Sequence, residues 1–201
     1  MKSIHIVVFD FDGTLVLSNQ LKYEAFFQLF PEDICCRAIV TEVLEEILEA
    51  SRFVIIEEII SRIDSTCEFE ITQSADQLAD RYNDTVLDGA KKCEERQGAA
   101  HVLEVLHGSL ALYVSSNTPQ IPLREIIEYR RWEGFFKGVF GYPKEKYQTL
   151  LDIMNIEQKN PTQVLVVGDG KSDQDSAERA GCRFFHVEPQ TNLFDVVRRT
   201  K

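Results

Sequence analysis

Short runs of apolar, β-branched or aromatic residues constrain the fold of this chain most strongly. They cover Ile4–Phe9, Leu110–Val114, Val164–Val167 and Arg183–Val187, and Val139–Tyr142 is a weaker fifth candidate. Continuous apolar runs are typical of strands buried on both faces of a parallel sheet. Helical patterns lie between them, at Ala99–Leu106, Pro122–Trp132, Lys146–Met154 and Asp173–Ala180. Strands that alternate with helices predict a doubly wound, Rossmann-like α/β domain with a mostly parallel sheet.

The segment between the first two predicted strands interrupts this alternation. From about residue 18 to residue 89, four apolar stripes recur at helical spacing with little strand signal. They are centred on Phe26, Val43, Ile59 and Leu78. The sequence therefore predicts an all-helical domain of residues 16–94, inserted into an α/β core of residues 1–15 and 95–201.

Length, charge and cysteine content narrow the class of protein. A chain of 201 residues suits one core domain with one modest insertion. A net charge of -11 disfavours nucleic acid and anionic lipid as partners, since both are negatively charged. The five cysteines are odd in number and lack a C-x-x-C spacing, which predicts reduced, mostly buried thiols.

The expected location is the cytoplasm. No apolar run approaches the length of a membrane span, and the run that ends at Phe9 is too short for a signal peptide. The acidic chain could still bind a small anionic substrate if a metal ion and a few lysines made the electrostatic potential positive at the binding site. The sequence indicates no oligomeric state.

Aspartates follow two of the predicted strands. Asp10 and Asp12 come directly after the first strand, where Gly13 permits a turn, although such aspartates alone often only cap backbone groups. Asp169 and Asp173 follow the strand that starts at Val164 and lie one helical turn apart. Parallel strands present their carboxyl ends at one edge of the sheet, so the four carboxylates would meet there. Their mutual repulsion calls for a divalent cation, and an oxygen-rich cluster suits Mg²⁺.

Neutral and cationic groups complete the pattern. Ser116 and Asn117 follow another apolar strand and can donate hydrogen bonds to phosphate oxygens without adding charge. A lysine at a helix start, Lys144 or Lys146, would let ammonium and backbone donors converge on one anion. Lys146 is favoured, because it begins a helix after a turn that Pro143 sets. Taken singly, each of these groups is explained as well by capping or by solvent exposure.

Taken together, these motifs resemble the haloacid dehalogenase (HAD) superfamily over nearly the whole chain. The run Asp10-Phe11-Asp12-Gly13-Thr14 is similar to that family's first motif, and Ser116 with Asn117 to its second. Lys146 is similar to the third motif, and Gly168-Asp169 through Asp173 to the fourth. The helical insertion is similar to the C1-type cap, and the stretch from 116 to 146 resembles phosphoglycolate-phosphatase-like members. The chain departs from the pattern at Leu17, where many relatives carry an acidic residue, and in lacking a Lys-Pro pair.

The resemblance implies a Mg²⁺-dependent phosphatase that forms an aspartyl-phosphate. Asp10 would be the nucleophile, and Asp12 would protonate the leaving group and then activate water. The implied phosphate-binding residues are Thr14, Ser116, Asn117 and Lys146, and the implied metal-binding residues are Asp10, Asp12 through its backbone carbonyl, Asp169 and Asp173. The cap would close about hinges at 16–17 and 89–94, with Asn19, Lys22 and Arg52 as candidates for selecting a small phosphorylated substrate.

Several other functions remain open at this stage. A phosphosugar mutase of the same superfamily would share these motifs. A phosphonatase would need a cap lysine for a Schiff base, and Lys22 is the only lysine between Val16 and Ala90. A dehalogenase is disfavoured, because that branch lacks the aspartate found here at position 12. A non-catalytic receiver domain also combines acidic residues with a Ser or Thr and a Lys, but its phospho-accepting aspartate lies later in the chain.

Overall fold

The computed structural model describes residues 3–48, 50–68 and 70–200. The chain divides into two compact units, of which one combines the residues up to Ser18 with those from Lys91 onward. The other unit is Asn19–Ala90. The predicted domain bounds, after residue 15 and before residue 95, lie a few residues from this division.

The first unit is built on a parallel sheet. Its strands are β1 Ile6–Phe9, β2 Ala111–Pro119, β3 Gly138–Tyr142, β4 Val164–Gly168 and β5 Arg183–His186. Among the described residues they form one five-stranded sheet in the order β3-β2-β1-β4-β5, and every neighbouring pair is parallel. Val8 of β1 pairs with Tyr113 on one side and Val166 on the other. All residues of β1 and β4 are buried, which explains their continuous apolar sequences. The predicted fold class is confirmed.

The second unit is built from α-helices, and none of its described residues forms a strand. Its helices are α1 Asn19–Phe27, α2 Ile34–Ile47, α3 Arg52–Thr66 and α4 Ala75–Lys92, the last of which ends just beyond the unit. The predicted apolar stripes form one shared core, which includes Phe26, Val43, Ile59 and Leu78. Asp33 begins α2 as a side-chain cap, because its carboxylate accepts hydrogen bonds from the amides of residues 35 and 36.

The remaining α-helices belong to the first unit, where the first four precede or separate strands of the sheet and the last follows β5. They are α5 Ala99–His107, α6 Gln120–Tyr129, α7 Lys146–Glu157, α8 Lys171–Ala180 and α9 Asp195–Arg199. Gly181 ends α8 with a φ of 70°, as its position after the helical pattern predicts. The clearest difference is β2, which continues past its predicted end at Val114 as far as Pro119. None of the helices in the described ranges combines the length and apolar composition that a membrane span requires.

The prediction that all five cysteines are reduced thiols is wrong for two of them. Cys35 and Cys67 form a disulfide, with their Cα atoms 6.1 Å apart, while Cys36, Cys93 and Cys182 remain thiols. Cys35 lies in the first turn of α2 and Cys67 directly follows α3, so the packing of α2 with α3 brings them together. The cysteines are 32 residues apart, which gives no local signal in the sequence.

The disulfide predicts a defined thiol count and a measurable contribution to stability. Alkylation of the unfolded, unreduced protein should label three thiols by mass spectrometry, and prior reduction should raise the count to five. Cys35→Ser should lower the free energy of unfolding by about 2–4 kcal/mol, because the unfolded chain loses a cross-link. Cys182→Ser is the control, with a much smaller effect. Five labelled thiols without reduction would contradict the pairing.

Candidate active site

A buried lysine bridges two buried aspartates at the carboxyl edge of the sheet. Asp10 directly follows β1, and its amide donates to the carbonyl of Val167 at 2.8 Å. Lys146 is the first residue of α7, and its Nζ lies 2.7 Å from Asp10 Oδ1 and 2.7 Å from Asp173 Oδ1. Each of the three residues exposes 7% of its surface or less. Buried charges of this kind are retained only when they are paired.

A third carboxylate joins this pair. Oxygen atoms of Asp10, Asp169 and Asp173 all lie within 4.8 Å of one another. Lys146 contributes one positive charge, whereas the three ionised carboxylates would contribute three negative charges. The excess negative charge and the all-oxygen donor set fit a hard divalent cation such as Mg²⁺. The residues present therefore suit the metal that the sequence predicts.

The pKa values of the buried groups reflect the same imbalance. Burial, with the nearby charge of Asp173, raises the pKa of Asp10 to about 8, although Lys146 opposes the shift. Burial also raises the pKa of Asp173. Burial alone would lower the pKa of Lys146, but Asp10 and Asp173 raise it above its ordinary value. Lys146 therefore stays charged, and additional positive charge is needed before both of its carboxylate partners ionise readily.

Hydroxyl groups hold the carboxylate of Asp12, which is not part of this acidic cluster. Ser18 Oγ donates to Asp12 Oδ1 at 2.6 Å, and Thr118 Oγ1 donates to Oδ2 at 2.5 Å. Ser116 Oγ lies farther from the same Oδ2 atom, at 3.4 Å. Neutral donors at both oxygens orient the carboxylate. A half-buried carboxylate held in this way is able to exchange a proton with a bound molecule.

The loop after Asp12 is tightly folded onto the acidic cluster. Gly13 has a φ of 71°, a left-handed conformation that favours glycine, and its amide donates to the carbonyl of Val16 at 2.8 Å. Thr14 is fully buried, and its Oγ1 donates to Asp169 Oδ1 at 3.1 Å. The loop thereby connects the end of β1 to the end of β4.

The structure brings most of the residues predicted for the site together at this edge. The cluster and its immediate neighbours contain Asp10, Asp12, Thr14, Ser116, Lys146, Asp169 and Asp173. Lys144 instead pairs with Asp152, with Nζ 2.6 Å from Oδ2, so Lys146 is the lysine that reaches the aspartates. Asn117 is exposed on β2, beside the buried Ser116.

Three further residues of the site were missed in the sequence. Thr118 had a usable signal, because residues 116 and 118 of a strand that continues to Pro119 project to the same side. Ser18 directly follows Leu17, the point of departure from the family pattern, whereas Arg96 had no signal in the sequence. Arg96 is 5% exposed, and its Nε donates to the carbonyl of Gly13 at 3.0 Å. Only the folded chain shows that an arginine so distant in sequence contacts the loop after Asp12.

Comparison with known proteins identifies the family. The family profile of the haloacid dehalogenase-like hydrolases matches residues 7–187. The chain therefore belongs to the haloacid dehalogenase-like hydrolase family, and the resemblance recognised from its motifs is confirmed. A search of curated proteins found no match.

Solved structures share the fold at low sequence identity. The Bacillus subtilis HAD hydrolase YfnB, solved with bound magnesium, has a TM-score of 0.79 at 15% identity and covers 99% of each chain. A predicted phosphoglycolate phosphatase from Haemophilus somnus has a TM-score of 0.71 at 16% identity, with 100% of both chains covered. A proposed β-phosphoglucomutase from Thermotoga maritima has a TM-score of 0.74 at 17% identity and covers 98% of this chain and 100% of its own. At such identities these similarities show the fold alone.

The close approach of α8 to β4 predicts that Gly168 cannot be replaced. A Cβ atom at Gly168 would overlap the side chain of Asp173, whereas one at Gly170 would meet Asp173 Oδ2 at 3.4 Å, an ordinary contact. Gly168→Ala should therefore push Asp173 away from Lys146 and weaken Mg²⁺ binding by roughly 10- to 100-fold. Gly170→Ala should bind Mg²⁺ almost as the wild type does. Calorimetric Mg²⁺ titration of both variants tests this, and equal affinities would contradict it.

The raised pKa of Asp10 predicts how stability changes with pH in metal-free protein. Between the ordinary pKa of aspartate and a folded-state pKa of about 8, the folded protein keeps a proton that the unfolded chain has lost. The contribution of Asp10 to stability is therefore greatest at acidic pH and falls as the pH rises towards 8. Asp10→Asn should be more stable than the wild type at pH 8, with a smaller difference at pH 5. Denaturant unfolding with EDTA at both pH values measures this, and a stability gain that does not depend on pH would contradict it.

Proposed function

We propose that this hydrolase is a Mg²⁺-dependent phosphatase that cleaves a small-molecule phosphate monoester through an aspartyl-phosphate on Asp10. We also propose that its helical unit is a C1-type cap. The observation that supports the activity best is the buried Lys146 ammonium, which bridges Asp10 and Asp173 beside Asp169. The family membership and the phosphatase assigned to a structural neighbour agree with it.

Asp10 is the proposed nucleophile. Its carboxylate oxygen attacks phosphorus and the bond from phosphorus to the leaving oxygen breaks, so one displacement becomes two easier ones. Burial disfavours the ionised form that must attack, and Lys146 opposes this effect at 2.7 Å. Mg²⁺ held by Asp10, the backbone carbonyl of Asp12, Asp169 and Asp173 would supply the positive charge that keeps Asp10 ionised and offsets its repulsion of the phosphate oxygens.

Asp12 is the proposed general acid and base. In the first step a protonated Asp12 donates its proton to the leaving alkoxide. In the second step the resulting carboxylate takes a proton from water as the water attacks phosphorus, which releases phosphate and regenerates Asp10. The hydroxyls of Ser18 and Thr118 orient the carboxylate for both transfers.

Lys146, Ser116, Asn117 and Thr14 are the proposed contacts to the phosphoryl oxygens. Lys146 is the strongest of these, because its charge is buried and already placed beside the nucleophile. Ser116 Oγ accepts a hydrogen bond from the amide of Thr118 at 3.1 Å, which fixes the position of that hydroxyl. Such preorganised donors favour the charge that develops in the transition state.

The proposed activity predicts a specific loss in Asp10→Asn. Phosphate release should be measured with a panel of phosphorylated glycolate, sugars and nucleotides, with Mg²⁺ and with EDTA. The wild type should hydrolyse at least one compound only when Mg²⁺ is present, and Asp10→Asn should lose at least about a thousandfold in turnover. Asp175→Asn is the matched control, since Asp175 lies in the same helix as Asp173 but is exposed and pairs with Lys171.

Three results would contradict the proposal. Near-complete activity in Asp10→Asn would exclude it as the nucleophile. Full activity in EDTA would exclude the metal. Interconversion of sugar phosphates without phosphate release would instead identify a mutase.

A further inference from the structure

We propose that Arg96 is a positioning residue for this site, which fixes the loop from Asp12 to Thr14 and through it the metal-binding carboxylate of Asp169. The inference rests on the proposed function for its kinetic test and on the proposed Mg²⁺ site for its binding tests. Arg96 lies outside the four motifs recognised in the sequence, at the point where the chain returns to the α/β unit.

The side chain of Arg96 joins two separate loops. Its Nε donates to the carbonyl of Gly13 at 3.0 Å, and its Nη2 contacts the same carbonyl oxygen. Its Nη1 donates to the carbonyls of Glu188 at 3.0 Å and Pro189 at 2.9 Å, in the loop after β5. The residue is 5% exposed, and burying a guanidinium is costly unless its donors are satisfied in this way. A planar guanidinium that donates to carbonyls on two sides has a geometry that the lysine ammonium cannot reproduce.

The backbone around Arg96 holds the same loop. The amide of Arg96 donates to the carbonyl of Leu15 at 3.0 Å, and the amide of Leu17 donates to the carbonyl of Glu94 at 2.8 Å. Between these two bonds, Val16 and Glu95 form an antiparallel bridge. Main-chain and side-chain contacts of one residue therefore converge on positions 13 and 15.

Fixing the carbonyl of Gly13 has a consequence for the acidic cluster. The carbonyl of Gly13 and the amide of Thr14 belong to one planar peptide and point in opposite directions. By holding this carbonyl, Arg96 fixes the orientation of the peptide plane that leads into Thr14. Thr14 in turn donates its hydroxyl to Asp169 Oδ1 at 3.1 Å. Asp169 is one of the three clustered carboxylates. Arg96 thus acts on the cluster through Thr14, and its charge also interacts with that of Asp169.

The test compares Arg96→Lys with a matched arginine of the same unit. Arg130 also donates to a backbone carbonyl, that of Cys93 at 2.5 Å, and packs over the Trp132 ring, so Arg130→Lys is the control. Arg96→Lys should bind Mg²⁺ roughly 10- to 100-fold more weakly by calorimetry, and its kcat should fall by a similar factor. The substrate KM should change less than about twofold. Arg130→Lys should retain wild-type values for all three quantities.

A purely structural role would give a different result. If Arg96→Lys loses stability but binds Mg²⁺ and turns over as Arg130→Lys does, the proposal is wrong. If Arg96→Lys does not fold, ¹⁵N NMR of the wild type tests the proposal instead. The Arg96 Nε–H signal should shift when Mg²⁺ is added, and the Arg130 signal should not. An unshifted Arg96 signal would overturn the proposal. The absence of phosphatase activity would refute the proposed function, whereas the Mg²⁺ measurements would still test Arg96.

Discussion

The site depends on one ammonium group that is surrounded by more negative charge than it can neutralise. Lys146 lies 2.7 Å from both Asp10 and Asp173, and Asp169 adds a third carboxylate to the same cluster. In water the charges of such a cluster would repel each other only weakly, but burial strengthens every electrostatic interaction between them. Burial, together with that repulsion, raises the pKa of Asp10, and a divalent cation is the simplest group that favours its ionised form. For the proposed function, stability and activity would therefore make opposite demands on this cluster.

The parallel sheet makes this concentration of charge possible. Because β1, β2 and β4 run in the same direction, the residues that follow them meet at one edge. Close packing then sets the distances: Gly168 lacks a side chain where Asp173 approaches, and Gly13 takes a left-handed conformation in the loop after Asp12. A second layer of contacts, from Ser18, Thr118 and Arg96, orients the groups that would take part in chemistry.

The fold is shared with structures of 15–17% identity over nearly the whole chain. A buried sheet requires apolar residues of about the right volume, and many sequences satisfy that requirement. The helical unit follows the same requirement for apolar residues, because its apolar stripes form one core around Ile59 and Leu78. The Cys35–Cys67 disulfide adds a constraint that no apolar pattern indicates.

The sequence by itself determined the fold class, the helical nature of the insertion and most of the polar residues at the carboxyl edge of the sheet. These follow from short-range regularities: apolar runs indicate buried strands, helical spacing indicates the bundle, and polar residues after strands mark the edge. Only the tertiary structure placed Lys146 and not Lys144 beside the aspartates and paired Cys35 with Cys67. It also extended β2 to include Thr118 and placed Arg96 against Gly13. Each of those outcomes depends on distances between residues far apart along the chain, or on where a strand ends. Such distances are set by the packing of the whole domain and leave no periodic trace in the sequence.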